Sequence, residues 1–202
     1  QTTWSEDGGL TWGNYVLQPT IDETQFNRYP SGLILDPTGN NSLSNAQTIV
    51  AGPTSGNTSW VGNYFYNFAL DGSGGREFNL LNTDAEFSSF TRNSMMADKN
   101  NIVRVLGYED NGLILTTGEY QTEDPIGYYW TQKYFTTEGL VEFYDYSMAF
   151  NQNGNIGYVV LQGTDANDQI VPFVHHTMDG GETWMELEHD FSTIEAYNLP
   201  FY

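Results

Sequence analysis

An eight-residue pattern occurs twice in this chain, and the interval between its copies constrains the fold more than any other feature. Ser5-Glu6-Asp7-Gly8-Gly9-Leu10-Thr11-Trp12 and Thr177-Met178-Asp179-Gly180-Gly181-Glu182-Thr183-Trp184 share the order hydroxyl, x, Asp, Gly, Gly, x, Thr, Trp. The copies stand about 172 positions apart, and self-similarity at a fixed interval is the signature of a repeat architecture. A second match sets Ser94-Met95-Met96-Ala97-Asp98, running to Asn101-Ile102, beside Ser147-Met148-Ala149-Phe150-Asn151, running through Gly154-Asn155-Ile156. A third sets Leu33-Ile34-Leu35-Asp36, with Gly39-Asn40, on Met148 to Asn151 with Gly154-Asn155. The three matches agree on one unit of about 57 residues, the middle unit being displaced by changes in loop length.

Each unit reads as short strands broken by turn residues. The last unit predicts strands over Tyr146 to Phe150, Gly157 to Gln162, Ile170 to Thr177 and Glu182 to Leu187, with the Asp-Gly-Gly turn joining the final two. The first gives Gly32 to Asp36, Thr48 to Ala51 and Val61 to Leu70; the middle gives Ile102 to Leu106, Leu113 to Thr117 and Tyr128 to Phe135. Stretches Asp36 to Asn45, Gly52 to Ser59, Asp71 to Gly75 and Gly163 to Gln169 are rich in Gly, Asn, Ser and Thr and read as loops. No long segment carries a helical period. Four antiparallel strands per repeat make the blade of a β-propeller. The expectation is therefore an all-β chain forming part of one propeller, with a partial blade at 1–27 and blades at about 28–87, 88–142 and 143–202. Three or four blades do not comfortably close a ring, and uncapped repeats expose their core, so a segment of a larger propeller is expected.

Composition narrows the partners. Aromatic residues make up 15% of the chain, which suits pleated, half-buried surfaces. A formal net charge of -20 repels phosphate backbones and anionic headgroups, arguing against nucleic acid and acidic membranes as partners. The acidity suits a soluble protein outside the cell and leaves a calcium role open. There is no cysteine, hence no disulfide framework. The longest apolar run, Ile156 to Leu161, is too short to span a bilayer, and Gln1 opens no signal segment.

The chemistry of the repeated motif is that of a turn. A short carboxylate accepts N–H groups of its own turn, Gly supplies positive φ, and Asp-Gly between strands is a strong hairpin signal. Asp7 and Asp179 are expected to hold these turns, with Ser5 and Thr177 adding hydrogen bonds, and Gly9 and Gly181 turning the chain. Trp12 and Trp184 should lay apolar surface against their own blades. These eight residues resemble the Asp-box, or bacterial neuraminidase repeat: Ser or Thr, x, Asp, x, Gly, x, x, Trp or Phe. The resemblance implies a β-propeller of the kind found in sialidases, sortilin-type receptors and some xyloglucan-cleaving hydrolases, with the box between the third and fourth strands of a blade. Phrases such as Arg28-Tyr29-Pro30-Ser31-Gly32 and Asn63-Tyr64-Phe65-Tyr66 also look similar to surface proteins exported by type IX secretion, which implies secretion-system components among the partners.

No catalytic constellation stands out. The sialidase resemblance implies three arginines clamping a carboxylate, and only Arg28, Arg76, Arg92 and Arg104 are present. Asn27-Arg28-Tyr29-Pro30 echoes the family's Phe-Arg-Ile-Pro phrase, but it follows a box where the family places it before the first. Glycoside hydrolysis needs two separated carboxylates, and Glu109, Asp110, Glu123, Asp124, Glu142 and Asp145 supply too many to single out a pair. His175, His176 and His189 have no zinc-ligand spacing, and adjacent residues on a strand point to opposite faces. Asp165-Ala166-Asn167-Asp168 is loosely like a calcium loop but lacks the Gly and terminal Glu of that pattern, and Asp71 to Gly75 reads as a turn. Trp60, Tyr64, Tyr66, Tyr128, Tyr129, Trp130 and Tyr134 divide between packing of blades and solvent-facing stacking surfaces. The expected function is an extracellular, non-enzymatic binding or adhesion module, secreted or at the cell surface, taking a protein or glycan ligand without a cofactor. The alternative is a glycoside hydrolase, sialidase-like or β-glucan-cleaving, with carboxylates on propeller loops.

Overall fold

A computed structural model describes residues 3–14, 24–40, 42, 45–70, 73–81, 95–109, 112–123 and 126–187. Among them there is no helix. Thirteen antiparallel strands form three sheets. The first sheet contains β1 (Phe26–Asn27), β2 (Ser31–Leu35), β3 (Gln47–Ser55), β4 (Trp60–Ala69) and β5 (Arg76–Leu81). The second runs β6 (Met95–Ala97), β7 (Val103–Glu109), β8 (Gly112–Gln121), β9 (Gly127–Thr136). The third runs β10 (Glu142–Phe150), β11 (Gly157–Thr164), β12 (Ile170–Thr177), β13 (Met185–Leu187). No sheet closes on itself.

The same turn follows one strand of each sheet. Asp36, Asp98 and Asn151 end β2, β6 and β10, and each backbone carbonyl accepts the N–H of the residue three positions on, at 3.1, 3.0 and 2.9 Å. Those residues, Gly39, Asn101 and Gly154, all have positive φ, at 66°, 61° and 75°. The side chains reinforce the turn: Asp36 Oδ1 accepts from Gly39 N–H, Asp98 Oδ1 from Asn100 and Ile102 N–H, and Asn151 Oδ1 from Ile156 N–H. Asx side chains favour this arrangement, because they satisfy backbone donors that a ladder cannot reach.

Alternation along the strands aims the core. β11 alternates buried and exposed residues over most of its length, sending Val159 and Leu161 inward and Tyr158 and Val160 outward. β3 and β4, central in their sheet, are buried almost throughout, as strands covered on both faces must be. One core lies between the first and second sheets, where Ile49, Ala51 and Phe65 meet Val103, Val105 and Tyr128. A second lies between the second and third, where Leu106, Leu113 and Leu115 meet Val159, Leu161 and Phe173. The second sheet thus uses opposite faces for its two neighbours: Val103 and Val105 turn to one side, Arg104 and Leu106 to the other.

Several elements differ from the sequence reading. Gly52 to Ser55, read as loop, continues β3, because Pro53 keeps a carbonyl to accept Arg28 N–H at 2.9 Å and Gly52 leaves room for the Arg28 carbonyl. An added Cβ at Gly52 would lie 2.6 Å from that oxygen. Phe26 and Asn27, placed in the leading fragment, pair with Ser55 and Thr54 in the first sheet. Two further strands absent from the sequence reading, Arg76–Leu81 and Met95–Ala97, join the first and second sheets. Glu182 to Trp184 belong to the turn, so the last strand begins at Met185.

Candidate functional site

The two Asp-Gly-Gly turns make the same hydrogen bonds atom for atom. Ser5 Oγ donates to Asp7 Oδ1 at 2.8 Å and accepts Gly9 N–H at 2.7 Å. Thr177 Oγ1 donates to Asp179 Oδ1 at 2.7 Å and accepts Gly181 N–H at 2.9 Å. Thr11 gives Asp7 its N–H at 2.9 Å and its hydroxyl at 2.6 Å; Thr183 gives Asp179 the same pair at the same distances. Gly8, Gly9, Gly180 and Gly181 all have positive φ. Led by the threonine hydroxyl and N–H, these donors hold both carboxyls well below the usual carboxylate range. Acids so committed to the charged form are poor proton donors at neutral pH.

The two copies differ in their surroundings. The second turn joins β12 to β13, and Trp184 packs on the core with its ring edge-on to Phe150 at 6.0 Å and its indole N–H donating to Gly181 O. Trp12 departs from the expectation that it backs onto a blade: it is 62% exposed and lies over Gly9 of its own hairpin, which Gly13 N–H closes onto Trp4 O.

The second turn forms one wall of a cleft of about 630 Å³; the other wall is the second sheet. At its base lies Arg104, whose Nη1 donates to Asp98 Oδ2 at 2.9 Å. Both side chains of this pair are almost wholly buried. Arg104 Nη2 donates to Gly154 O at 3.0 Å and reaches Gly180 O at 3.5 Å, and the guanidinium carbon sits 4.3 Å from the centre of the Phe150 ring. One side chain thus ties the Asp98 turn, the Asn151–Gly154 turn and the Asp179 turn together. Buried charges persist where pairing and hydrogen bonds both compensate them. Gly154 and Gly181 allow the approach: an added Cβ would collide with Asp98 Oδ2 at the first and come within 2.8 Å of Leu115 Cδ2 at the second.

Above this base the cleft is polar and open to solvent. Thr117, Glu119 and Thr131 line it from the second sheet, and Glu182 from the turn between β12 and β13. Lys133 Nζ bridges the walls, donating to Glu182 Oε2 at 3.0 Å and to the Glu182 backbone carbonyl. This gives a rigid floor with hydroxyls, two carboxylates and one ammonium presented at the rim, a set able to bind a polar ligand.

The other sequence candidates do not converge on this cleft. Arg28 lies on the first sheet, beside Ser55. Glu142 accepts from the Tyr144 hydroxyl at 3.0 Å, Asp145 accepts Tyr146 N–H, and Glu123 is exposed. Asp165 caps its own loop by accepting Asn167 and Gln169 N–H, which holds its carboxyl below the usual range. His175 is buried with Nε2 3.1 Å from the Thr137 hydroxyl, and burial lowers its pKa; His176 faces outward and stacks on Tyr158. Tyr64 and Tyr128 are buried, which pushes the Tyr64 phenol up to about 12 and the Tyr128 phenol also upward, while Tyr134 and Trp60 are exposed. Arg92, Asp71, Asp110, Asp124 and His189 lie outside the described residues, as do the side chains of Arg76 and Glu109. Among the described residues no three metal-ligating side chains converge. Glu119, Lys133 and Glu182 were not singled out by sequence, which offers no local signal for residues that meet only through sheet packing.

Comparison with family models, curated proteins and solved structures returned no match.

Proposed function

We propose that the chain is a non-enzymatic binding or adhesion module, secreted or displayed at the cell surface, whose stacked sheets are blades of a β-propeller and whose cleft between the second and third sheets takes a glycan or protein ligand. The observation that carries this reading is the Arg104 hub. It fixes both walls through buried hydrogen bonds, while Lys133, Glu182, Glu119, Thr117 and Thr131 remain at the rim to meet a ligand. Pre-set walls lower the ordering cost of binding.

The propeller reading is supported by register. Ala97 pairs Val103 as Phe150 pairs Gly157, so Arg104 and Leu106 correspond to Tyr158 and Val160. Leu106 is buried against the third sheet, whereas Tyr158 and Val160 are 45% and 42% exposed. This difference in burial supports reading the outer face of the third sheet as a blade face.

The test is an array of glycans and of extracellular proteins probed with the wild-type chain and with Thr131→Trp, which fills the rim from an exposed strand position. Retention by the wild type that the variant loses supports the reading; a blank array for the wild type removes it. A glycoside hydrolase is the second reading, favoured by one observation: Glu119 on β8 and Glu182 on the turn between β12 and β13 line the same cleft. Turnover of sialosides or β-glucans that Glu119→Gln and Glu182→Gln each abolish would establish it.

A further inference from the structure

A second depression, of about 360 Å³, lies on the first sheet, apart from the cleft above. Its walls come from the Arg28-Tyr29 segment and the loop between β3 and β4. Two aromatic rings stand in it: Tyr29 is 59% exposed and Trp60 is 37% exposed, with centroids 5.9 Å apart and planes inclined at 45°. Large apolar rings left in solvent beside a concave surface are an unusual use of residues that contribute so much on burial.

The backbone is strained to achieve this. Tyr29 has φ of 43°, a left-handed conformation that a bulky residue rarely adopts, and the following Pro30 disfavours helical conformations at the residue before it. Such outliers persist where the surroundings fix them and cluster at ligand sites. Here the fixing groups are visible. Phe26 and Asn27 pair with the end of β3, Arg28 N–H donates to Pro53 O at 2.9 Å, and only a glycine at position 52 admits the Arg28 and Tyr29 carbonyls. Gly56 N–H closes the opposite loop onto Ser59 O at 2.7 Å.

Polar groups are set around the rings. Arg28 Nε donates to Ser55 Oγ at 3.2 Å, which commits one of the five guanidinium donors, and the guanidinium carbon lies 5.5 Å from the centre of the Phe26 ring. Asn57 and Thr58, both exposed, add an amide and a hydroxyl able to donate and accept. Two inclined aromatic faces with a guanidinium and small amide and hydroxyl groups at their margin match the face and edge of a pyranose ring, apolar on its C–H face and bristling with hydroxyls at its rim.

We infer that the Arg28–Tyr29–Trp60 depression is a saccharide-binding site, in which a pyranose stacks on Trp60 and Tyr29 and its hydroxyls bond to Arg28, Asn57 and Thr58. A proline-rich peptide also docks on paired aromatics, but it would leave the amide and hydroxyl groups of the loop without an evident task.

The test is isothermal titration of the full chain with soluble hexose, pentose and uronic-acid oligosaccharides, with a proline-rich peptide run alongside. At least one oligosaccharide should bind, and Trp60→Ala should weaken it at least about tenfold, a loss typical of a central aromatic anchor. Thr58→Ala, on an exposed loop where it cannot unfold a sheet, should weaken it by about two- to tenfold, as expected for one lost hydrogen bond. Repeating the titrations in the Thr131→Trp background, where the other cleft is filled, separates the two sites: binding that persists there and is lost when Trp60→Ala is added belongs to this depression. No binding by any saccharide, equal binding by wild type, Trp60→Ala and Thr58→Ala, or Trp60-dependent binding of the peptide alone would overturn the assignment.

Discussion

Replacing Arg104 by methionine should cost more stability than any exposed charge change in this chain. The substitution keeps the aliphatic bulk over Phe150 but removes the partner of the buried Asp98 carboxylate and the donors to Gly154 O and Gly180 O. Breaking a buried pair from one side costs about 3–5 kcal/mol, because a charge is left without compensation. Asp98 retains two backbone donors, from Asn100 at 2.8 Å and Ile102 at 3.2 Å, which cushion the loss. The expected cost is therefore near the lower end, about 3–4 kcal/mol. For a chain of this size that corresponds to a fall in melting temperature of roughly 6–16 °C. In urea the midpoint should drop while the slope stays constant, since the surface exposed on unfolding does not change. The exposed pair is the internal control: Lys133→Met breaks the bridge to Glu182, whose side chains are 43% and 81% exposed, and should cost no more than about 1 kcal/mol. A loss below about 1 kcal/mol for Arg104→Met, or equal losses for the two variants, would refute the hub.

Gly154→Ala should be far worse than Gly39→Ala. Both positions have positive φ, which alone costs about 1–2 kcal/mol, but an added Cβ at Gly39 meets nothing within 4 Å, whereas at Gly154 it collides with Asp98 Oδ2. Overpacking should add about 1–3 kcal/mol at Gly154, and equal melting temperatures for the two variants would contradict the packing described. The Asp7 and Asp179 carboxyls should titrate below the ordinary aspartate value of about 3.9, as read by carbon-13 shifts. Since their folded pKa values are depressed, the turns contribute stability that is complete above that value and is lost as pH falls through the folded value; a midpoint at or above it would be contrary. Burial lowers the His175 pKa, so its contribution should be complete above about pH 6.5 and decline as pH falls through its folded value. Melting curves between about pH 8 and 5 should show this decline in the wild type and less of it in His175→Gln; identical slopes would remove His175 as the cause.

The turns were legible in sequence because their chemistry is local. Asp36, Asp98 and Asn151 each precede a positive-φ residue by three positions, and all three stand in the segments that match one another in sequence. The strand from Gly157 to Gln162 was equally legible, because one face is buried and the other is not, but Gly163 and Thr164, which read as loop, continue it by pairing with Val171 and Ile170. The end of β3 was not. Gly52-Pro53 reads as a loop until Arg28, 25 positions earlier in the chain, supplies the donor for the Pro53 carbonyl. Nor was the hub: Arg104 looked like one of four scattered arginines, and its partners Gly154 and Gly180 lie 50 and 76 positions away. Trp12 and Trp184 occupy the same place in identical patterns, yet only Trp184 is packed on a core, because the motif specifies its turn and the neighbouring sheet specifies the burial.

The binding cleft is tested most directly by equilibrium binding of the array's retained ligand to wild-type chain and to Thr131→Trp, with melting temperatures recorded for both. Saturable binding by the wild type, weakened at least about tenfold in a variant of equal stability, is the predicted result. Absence of any retained ligand, or equal affinity in the two proteins, would contradict a binding site between the second and third sheets.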